Sequence, residues 1–397
     1  MVAVGVLCVA QTVAVWGEHV LFYNGLTFWA YDHLGGARGV SMALGAVTFP
    51  ALFSYPAGLL VGALPPKLVL AVCAAIRAAL AFLLLALVLR PGFSPLAILG
   101  VAASILLVDS FFMPVLKAAL PGWSGTHEAR RARANALLEA TDAPGFILGP
   151  LFAVAFYHAR GIAGPAFALA ISYAVALVFV LAVPRPAALM PSETQAAAVA
   201  MEPVAPPPTL PNAPSVPLLI GAWTVGMFVL GLTQALALPF VLEVLHRSEH
   251  VYGVLAAVLG GGITVGAVLW SLDPILRVPT SRRFTLALLF GGGALIGGAL
   301  AVTAFWCGVA WFLGGIGLVG VPLTLTTLLQ EESAARRRTG LLGLTHTTEA
   351  AGLLLGELAA FWLQSRLGLR GAFGLGGVLL LFCAAVTVAQ ARHRGRN

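Results

Sequence analysis

Residues 131–152 read RARANALLEATDAPGFILGPLF: arginines, a glutamate and an aspartate lead into an apolar run that holds a Gly-Pro pair. A solvated helix would spread such charges along its length, but here they stop at Asp142, and the next ten residues carry none. That is the pattern of a helix whose first turns meet water and head groups and whose remainder enters hydrocarbon. Within the apolar part, Gly145 and Gly149 strip side chains from one helix face and Pro150 kinks the backbone, so a neighbouring helix can come close.

The stretch has a counterpart. A shift of 207 positions lays RRRTGLLGLTHTTEAAGLLLGELAA, from Arg336, over it: Arg130 and Arg131 meet Arg337 and Arg338, and Thr141 meets Thr348. Asp142 falls on Glu349, Gly145 on Gly352, and Gly149 on Gly356. We read this as an internal repeat, and parallel repeats are one way transporters are built. On this reading the two glycine faces form a central seam on which two halves rock.

Composition agrees with a membrane solvent. The chain has 397 residues, 60% hydrophobic and 9% charged, against about a quarter charged in soluble domains. Breaks at Pro, Gly and charge clusters place spans at roughly 2–31, 38–63, 67–89, 95–120, 132–157 and 162–183, then 217–244, 251–272, 281–303, 306–329, 339–364 and 371–391. The expected fold is therefore an all-α polytopic membrane protein of twelve transmembrane helices in two six-helix repeats. The N-terminal half is 1–183, the linker 184–217, and the C-terminal half 218–397 with a short basic tail. Ten of the 25 prolines lie from Pro184 to Pro217, a composition that extends as polyproline II and packs no core.

With the N-terminus inside, fifteen of the 22 Lys and Arg residues fall at cytoplasmic ends, six at outer ends, and Arg77 within span three. The positive-inside rule then puts both termini and the linker in the cytoplasm. The same asymmetry accounts for the net charge of +7, so no nucleic-acid partner is needed. Cys8, Cys73, Cys307 and Cys383 all lie in apolar runs, which indicates no disulfide framework. The triplets at Gly260 and Gly291 lack the Lys-Ser or Lys-Thr of a phosphate loop. No cofactor or metal is expected, and no bond is made or broken.

RANALLEATDAPGFILGP resembles the loop and fifth helix of the major facilitator superfamily, in its macrolide-efflux and enterobactin-exporter-like branch. The pieces AQTVAVWGEHVLFYNGLTFWAYDHLGG, FPALFSYPAGLL, AAIRAAL and SFFMPVLKAALPG match its first four helices in order. The resemblance implies a major facilitator fold working by alternating access in a bacterial inner membrane. One departure is sharp. After span two the family's Gly-x-Leu-Ala-Asp-Arg pattern gives way to GLLVGALPPK, with Gly62 at the aspartate and Ala63 at the first arginine, and only Gly58 and Lys67 kept. An arginine expected in the fourth helix of many proton-driven antiporters is missing too, so the usual charge relay lacks its residues.

A charge at mid-bilayer costs ~2.5–3.5 kcal/mol on insertion scales and persists only when paired or hydrated. Glu18, Asp109 and Arg77 lie at such depths in spans one, four and three, with Arg77 expected to neutralise Asp109 and leave Glu18 unpaired. Glu18 is the expected coupling or substrate-sensing acid, exchanging a proton between inward and outward states. Asp142 and Glu349 are further candidates for coupling or binding, with Glu357 and His346 second to them. Trp16, Trp29, Phe112 and Trp223 are the aromatics expected to stack on a bulky substrate in the cavity. The expected function is secondary export of an amphipathic small molecule, drug or siderophore-like, with proton coupling, by a monomer in contact with membrane lipids. Two alternatives stand beside it: a lysophospholipid or lipid flippase of the same fold, and a transport-inactive scaffold or sensor.

Overall fold

The computed structural model describes residues 2–54, 64–124, 134, 137–138, 140–185, 215–270, 272, 275, 277–332 and 335–394. Most of the Pro-rich linker, Arg130, Arg131 and Arg133, and the loop residues Gly58, Gly62 and Ala63 lie outside the described residues.

Every described element is helical. The helices are α1 (Val2–His33), α2 (Ala37–Phe53), α3 (Pro66–Val88), α4 (Pro95–Ser124), α5 (Ala143–Arg160) and α6 (Ala163–Ala182). There follow α7 (Pro217–Val244), α8 (Glu249–Trp270), α9 (Thr280–Leu300) and α10 (Ala304–Glu332). The last helical stretch, Ala335–Arg394, is two spans in one: Gly368 breaks it with φ 70° and ψ 171°. A side chain at that φ would be strained, whereas glycine turns the chain freely. We denote the parts α11 (335–367) and α12 (369–394). Among the described residues ten helices are long and apolar enough to cross a membrane, counting α11 and α12 together, and α2 is a shorter apolar helix. The break at Gly368 and the shorter α2 bring the count to the expected twelve.

One boundary differs from expectation. The fifth span is not a continuous α-helix from 132, because Ala140–Asp142 forms a 3₁₀ turn and the α-helix starts at Ala143. Pro144 supplies the reason: it lacks an N–H, and its ring clashes with the carbonyl four residues earlier, at Ala140.

The helices sort into two compact units. One contains α1–α6 with Tyr252–Ala257 of α8; the other contains α7, the rest of α8, and α9–α12. In the first unit α1 packs on α5 and α6, and α3 packs on α4 and α6. The first turn of α8 joins them: Tyr252 meets Phe28 edge to face at 5.6 Å, and a Cβ on Gly253 would lie 3.3 Å from the Pro150 carbonyl oxygen. In the second unit α7 packs along the α11–α12 stretch, and α9 lies against that stretch and α10. Its core is Leu219, Trp223, Met227, Phe284, Leu288 and Leu325 with smaller neighbours.

The glycine faces carry close helix contacts within a unit. A Cβ on Gly145 or Gly149 would come within 2.5 Å of His19 on α1. A Cβ on Gly352 would meet the Thr224 carbonyl oxygen of α7 at 2.6 Å, and one on Gly356 would strike the carbonyl oxygen of Phe228. The expectation of a seam between halves is therefore corrected. These glycines join the fifth helix to the first and the eleventh to the seventh, because a small-residue face is filled by the nearest helix that can lie flat on it. The repeat holds at the level of contacts, with equivalent helices paired in both units.

Candidate functional site

Arg77 is the middle residue of α3, with eleven residues before it and eleven after. It is 2% exposed. A guanidinium at that depth must be neutralised by the protein, and two carboxylates do so. Its Nη2 donates to Glu18 Oε1, and its Nη1 lies 3.0 Å from Asp109 Oδ1. The second contact is an ion pair without hydrogen-bond alignment, since Asp109 Oδ1 has no hydrogen-bond partner among the described residues.

The remaining coordination comes from α6 and α4. The Tyr173 hydroxyl donates to Glu18 Oε1 at 3.0 Å, and its ring centroid lies 4.3 Å from Arg77 Cζ. Phe112 presents its ring to the same carbon at 5.0 Å. Cation–π contacts of this kind contribute about 2 kcal/mol or more once desolvated. Tyr173 reaches Glu18 because Gly17 lets α6 close on α1: a Cβ there would sit 2.7 Å from Ser172 Cβ. Two carboxylates thus share one guanidinium, leaving the cluster with one negative charge in excess.

Beside the cluster lies a crevice lined by Gln11, Ala14, Arg77, Phe112, Tyr173 and Ala176, with about 10 Å³ open. That is about the least volume that holds one water molecule. Gln11 donates to Met113 Sδ at 3.4 Å, but Gln11 Oε1 and Arg77 Nε have no hydrogen-bond partner among the described residues. Two residues that line the crevice, Gln11 and Arg77, thus each keep one unsatisfied polar atom.

Several expectations need correction here. Glu18 is not left unpaired, because Arg77 has two terminal nitrogens and the packing of α1, α3 and α4 gives one to each acid. Of the four expected cavity aromatics, Phe112 lines the crevice. Trp16 packs edge to face on Phe152 (5.4 Å), Trp29 is buried beside His33 and Phe93, and Trp223 belongs to the core of the second unit. Asp142 stands at the N-cap of α5, where negative charge complements the helix dipole. Glu349 is half-buried in α11, and Glu357 on the same helix is buried. The His346 side chain lies outside the described residues.

Two further residues take part. Tyr173 adjoins Ser172 in the middle of an apolar helix, so its hydroxyl does not stand out in the sequence. His19 follows Glu18 and fills the glycine face of α5, its ring 4.4 Å from that of Phe146; no sequence signal marked it.

Two compact units of apolar helices, the first holding a buried ion cluster, are those of a polytopic membrane protein. The Major Facilitator Superfamily profile matches residues 7–357, and the chain belongs to that superfamily. No curated protein sequence matches significantly. Solved structures with the same fold include a mutant of the peptide transporter POT in complex with alafosfalin, with a TM-score of 0.76 and 15% identity, covering 99% of this chain and 95% of that one. A POT family transporter in complex with 5-aminolevulinic acid gives 0.78 at 12% identity, covering 98% and 96%. A mutant of the nucleoside transporter NupG gives 0.72 at 11%, covering 98% and 99%.

Proposed function

We propose that the protein exports an amphipathic, cationic small molecule in exchange for protons, by alternating access of its two six-helix halves. On this reading it works as a monomer in a bacterial cytoplasmic membrane with both termini inside. The resemblance to macrolide-efflux and enterobactin exporters supports the outward direction. The related folds crystallised with alafosfalin and 5-aminolevulinic acid support a small organic cargo.

The carrying observation is the Glu18–Arg77–Asp109 cluster, in which one guanidinium is divided between two acids. While Glu18 is charged, it ties α1 to α3 through Arg77 and to α6 through Tyr173. A proton on Glu18 removes the charge that holds Arg77, and the guanidinium is left to Asp109, so α1 is released from α3. A cationic cargo does the same by taking the carboxylate for itself. Proton and cargo then exclude one another at a single group, and exchange follows without the family's usual relay. The aromatic rings of Phe112 and Tyr173 suit an amphipathic cation once Arg77 moves aside.

Everted vesicles with a cationic dye added to the outer medium test this. The wild type should drive dye movement with an imposed proton gradient, and Glu18→Gln, at equal membrane abundance, should lose it. Unchanged gradient-driven transport in Glu18→Gln would overturn the proposal, and lipid translocation in the same vesicles would put the flippase reading ahead.

A further inference from the structure

We propose that the cleft between α9 and α10 binds one acyl chain of a membrane phospholipid, with Arg370 holding the phosphate. The cleft has a volume of about 520 Å³, with Leu289, Gly293 and Gly297 on one wall and Trp306, Val309 and Leu313 on the other. Its floor is cut by the glycines. A Cβ on Gly293 would meet nothing within 4 Å, and one on Gly297 would meet only Ala310 Cβ, at 3.9 Å. They leave the helix surface recessed and do not admit a neighbouring helix.

Length and charge identify the occupant. The α9 wall runs from Leu289 to Leu300; at 1.5 Å per residue that is about 16 Å, roughly half of the ~30 Å hydrocarbon core and so one leaflet deep. At the shallow end Val302 and Trp306 are 77% and 59% exposed, and tryptophan favours the head-group level. Arg370 closes that end. Its Nη1 donates to the carbonyl oxygens of Ala299 (2.6 Å) and Ala301 (2.9 Å), and Ala301 itself lines the cleft. A guanidinium has five N–H donors in a fork, so an exposed Arg370 still offers donors to a phosphate. An apolar slot of leaflet depth with a cation at its mouth complements an acyl chain below an anionic head group. No charged side chain lines the cleft to hold a cationic cargo.

The test uses purified protein in phosphatidylcholine nanodiscs doped with phosphatidylglycerol carrying a diazirine on one acyl chain. Crosslinks located by mass spectrometry should concentrate at residues 289–302 and 306–313. Gly293→Leu combined with Gly297→Leu should cut labelling there about tenfold, the equivalent of one or two methylenes removed from contact, while labelling elsewhere holds. Arg370→Gln should weaken labelling by phosphatidylglycerol but not by a diazirine diacylglycerol that lacks phosphate, and Arg370→Lys should restore it in part. Label spread evenly over all lipid-facing helices, or unchanged by the paired leucines, would overturn the proposal. So would displacement of the label by ethidium, which would assign the cleft to cargo. Should Arg370→Gln fail to fold, the wild type decides the phosphate's part, since equal labelling by phosphatidylglycerol and by the diacylglycerol would overturn it.

Discussion

The Tyr173 hydroxyl donates to Glu18 Oε1 at 3.0 Å from 155 residues further along the chain, while its ring covers the guanidinium that binds the same oxygen. One side chain thus supports both the acid and the base of the cluster. Tyr173→Phe separates the two roles, because it keeps the ring and loses the hydroxyl. Stability should fall by about 1.5–3 kcal/mol, the usual net contribution of one hydrogen bond to a charged partner. The pH dependence of transport should shift, because the hydroxyl stabilises the charged form of Glu18 more than the protonated one. A pH profile of dye efflux that superimposes on the wild type would show that Tyr173 only packs.

Removing Arg77 should be far more damaging. Arg77→Met leaves the buried Glu18 and the half-buried Asp109 without their cation, and breaking a buried pair costs about 3–5 kcal/mol. Low membrane abundance and a depressed melting temperature are expected. The triple variant Glu18→Gln, Arg77→Met, Asp109→Asn should recover abundance, since no charge is stranded, but should not transport. A triple variant as unstable as Arg77→Met alone would mean that the guanidinium contributes chiefly through its packing on Phe112 and Tyr173.

The glycine contacts predict an asymmetry within each pair. Gly352 faces backbone, the Thr224 carbonyl, whereas Gly145 faces the His19 ring. Gly352→Ala should cost more than Gly145→Ala, toward the upper end of the ~1–3 kcal/mol typical of overpacking, because backbone cannot step aside. His19→Ala should relieve Gly145→Ala and do nothing for Gly352→Ala. Thermal unfolding of the four variants checks both statements; equal losses at the two glycines would contradict them.

Lys67 should prove structural. It is one of two residues that keep the family's loop pattern, yet its Nζ donates to the Leu181 carbonyl oxygen at 3.2 Å and to that of Val183, at the C-terminus of α6. A cation there complements the helix dipole by about 0.3–1 kcal/mol. Lys67→Gln should lower the melting temperature by about 1 °C or less and leave the pH profile of transport unchanged. A changed profile would return Lys67 to the coupling machinery.

The spans were legible because hydrocarbon thickness dictates length and apolarity, and both survive in composition. The repeat was legible because Gly352 and Gly356 must do for α11 what Gly145 and Gly149 do for α5. Depth was legible too: Glu18, Arg77 and Asp109 stood out as charges far from any helix end. Azimuth was not. These helices are apolar nearly all round, so no face is marked as inward, and nothing in the sequence separated Phe112, at the crevice, from Trp16 and Trp223, which pack elsewhere. For the same reason the sequence could not show Arg77 shared between two acids, nor Tyr173 arriving from α6. That arrangement depends on how closely Gly17 lets two helices meet, which is a property of pairs of helices.

The π-helical segment His19–Gly25 in α1 begins one residue after Glu18, and Asn24 Nδ2 donates to the His19 carbonyl oxygen at 2.7 Å within it. A π turn holds one residue more than an α turn, and one residue is about 100° of rotation. The two ends of α1 are therefore out of phase with each other by that angle. A chain shortened by one residue between His19 and Gly25 could still span the bilayer, yet it could not keep Glu18 toward Arg77 and Trp29 beside Phe93 together. The surplus residue sets the azimuthal offset between the charged half of this helix and its aromatic half.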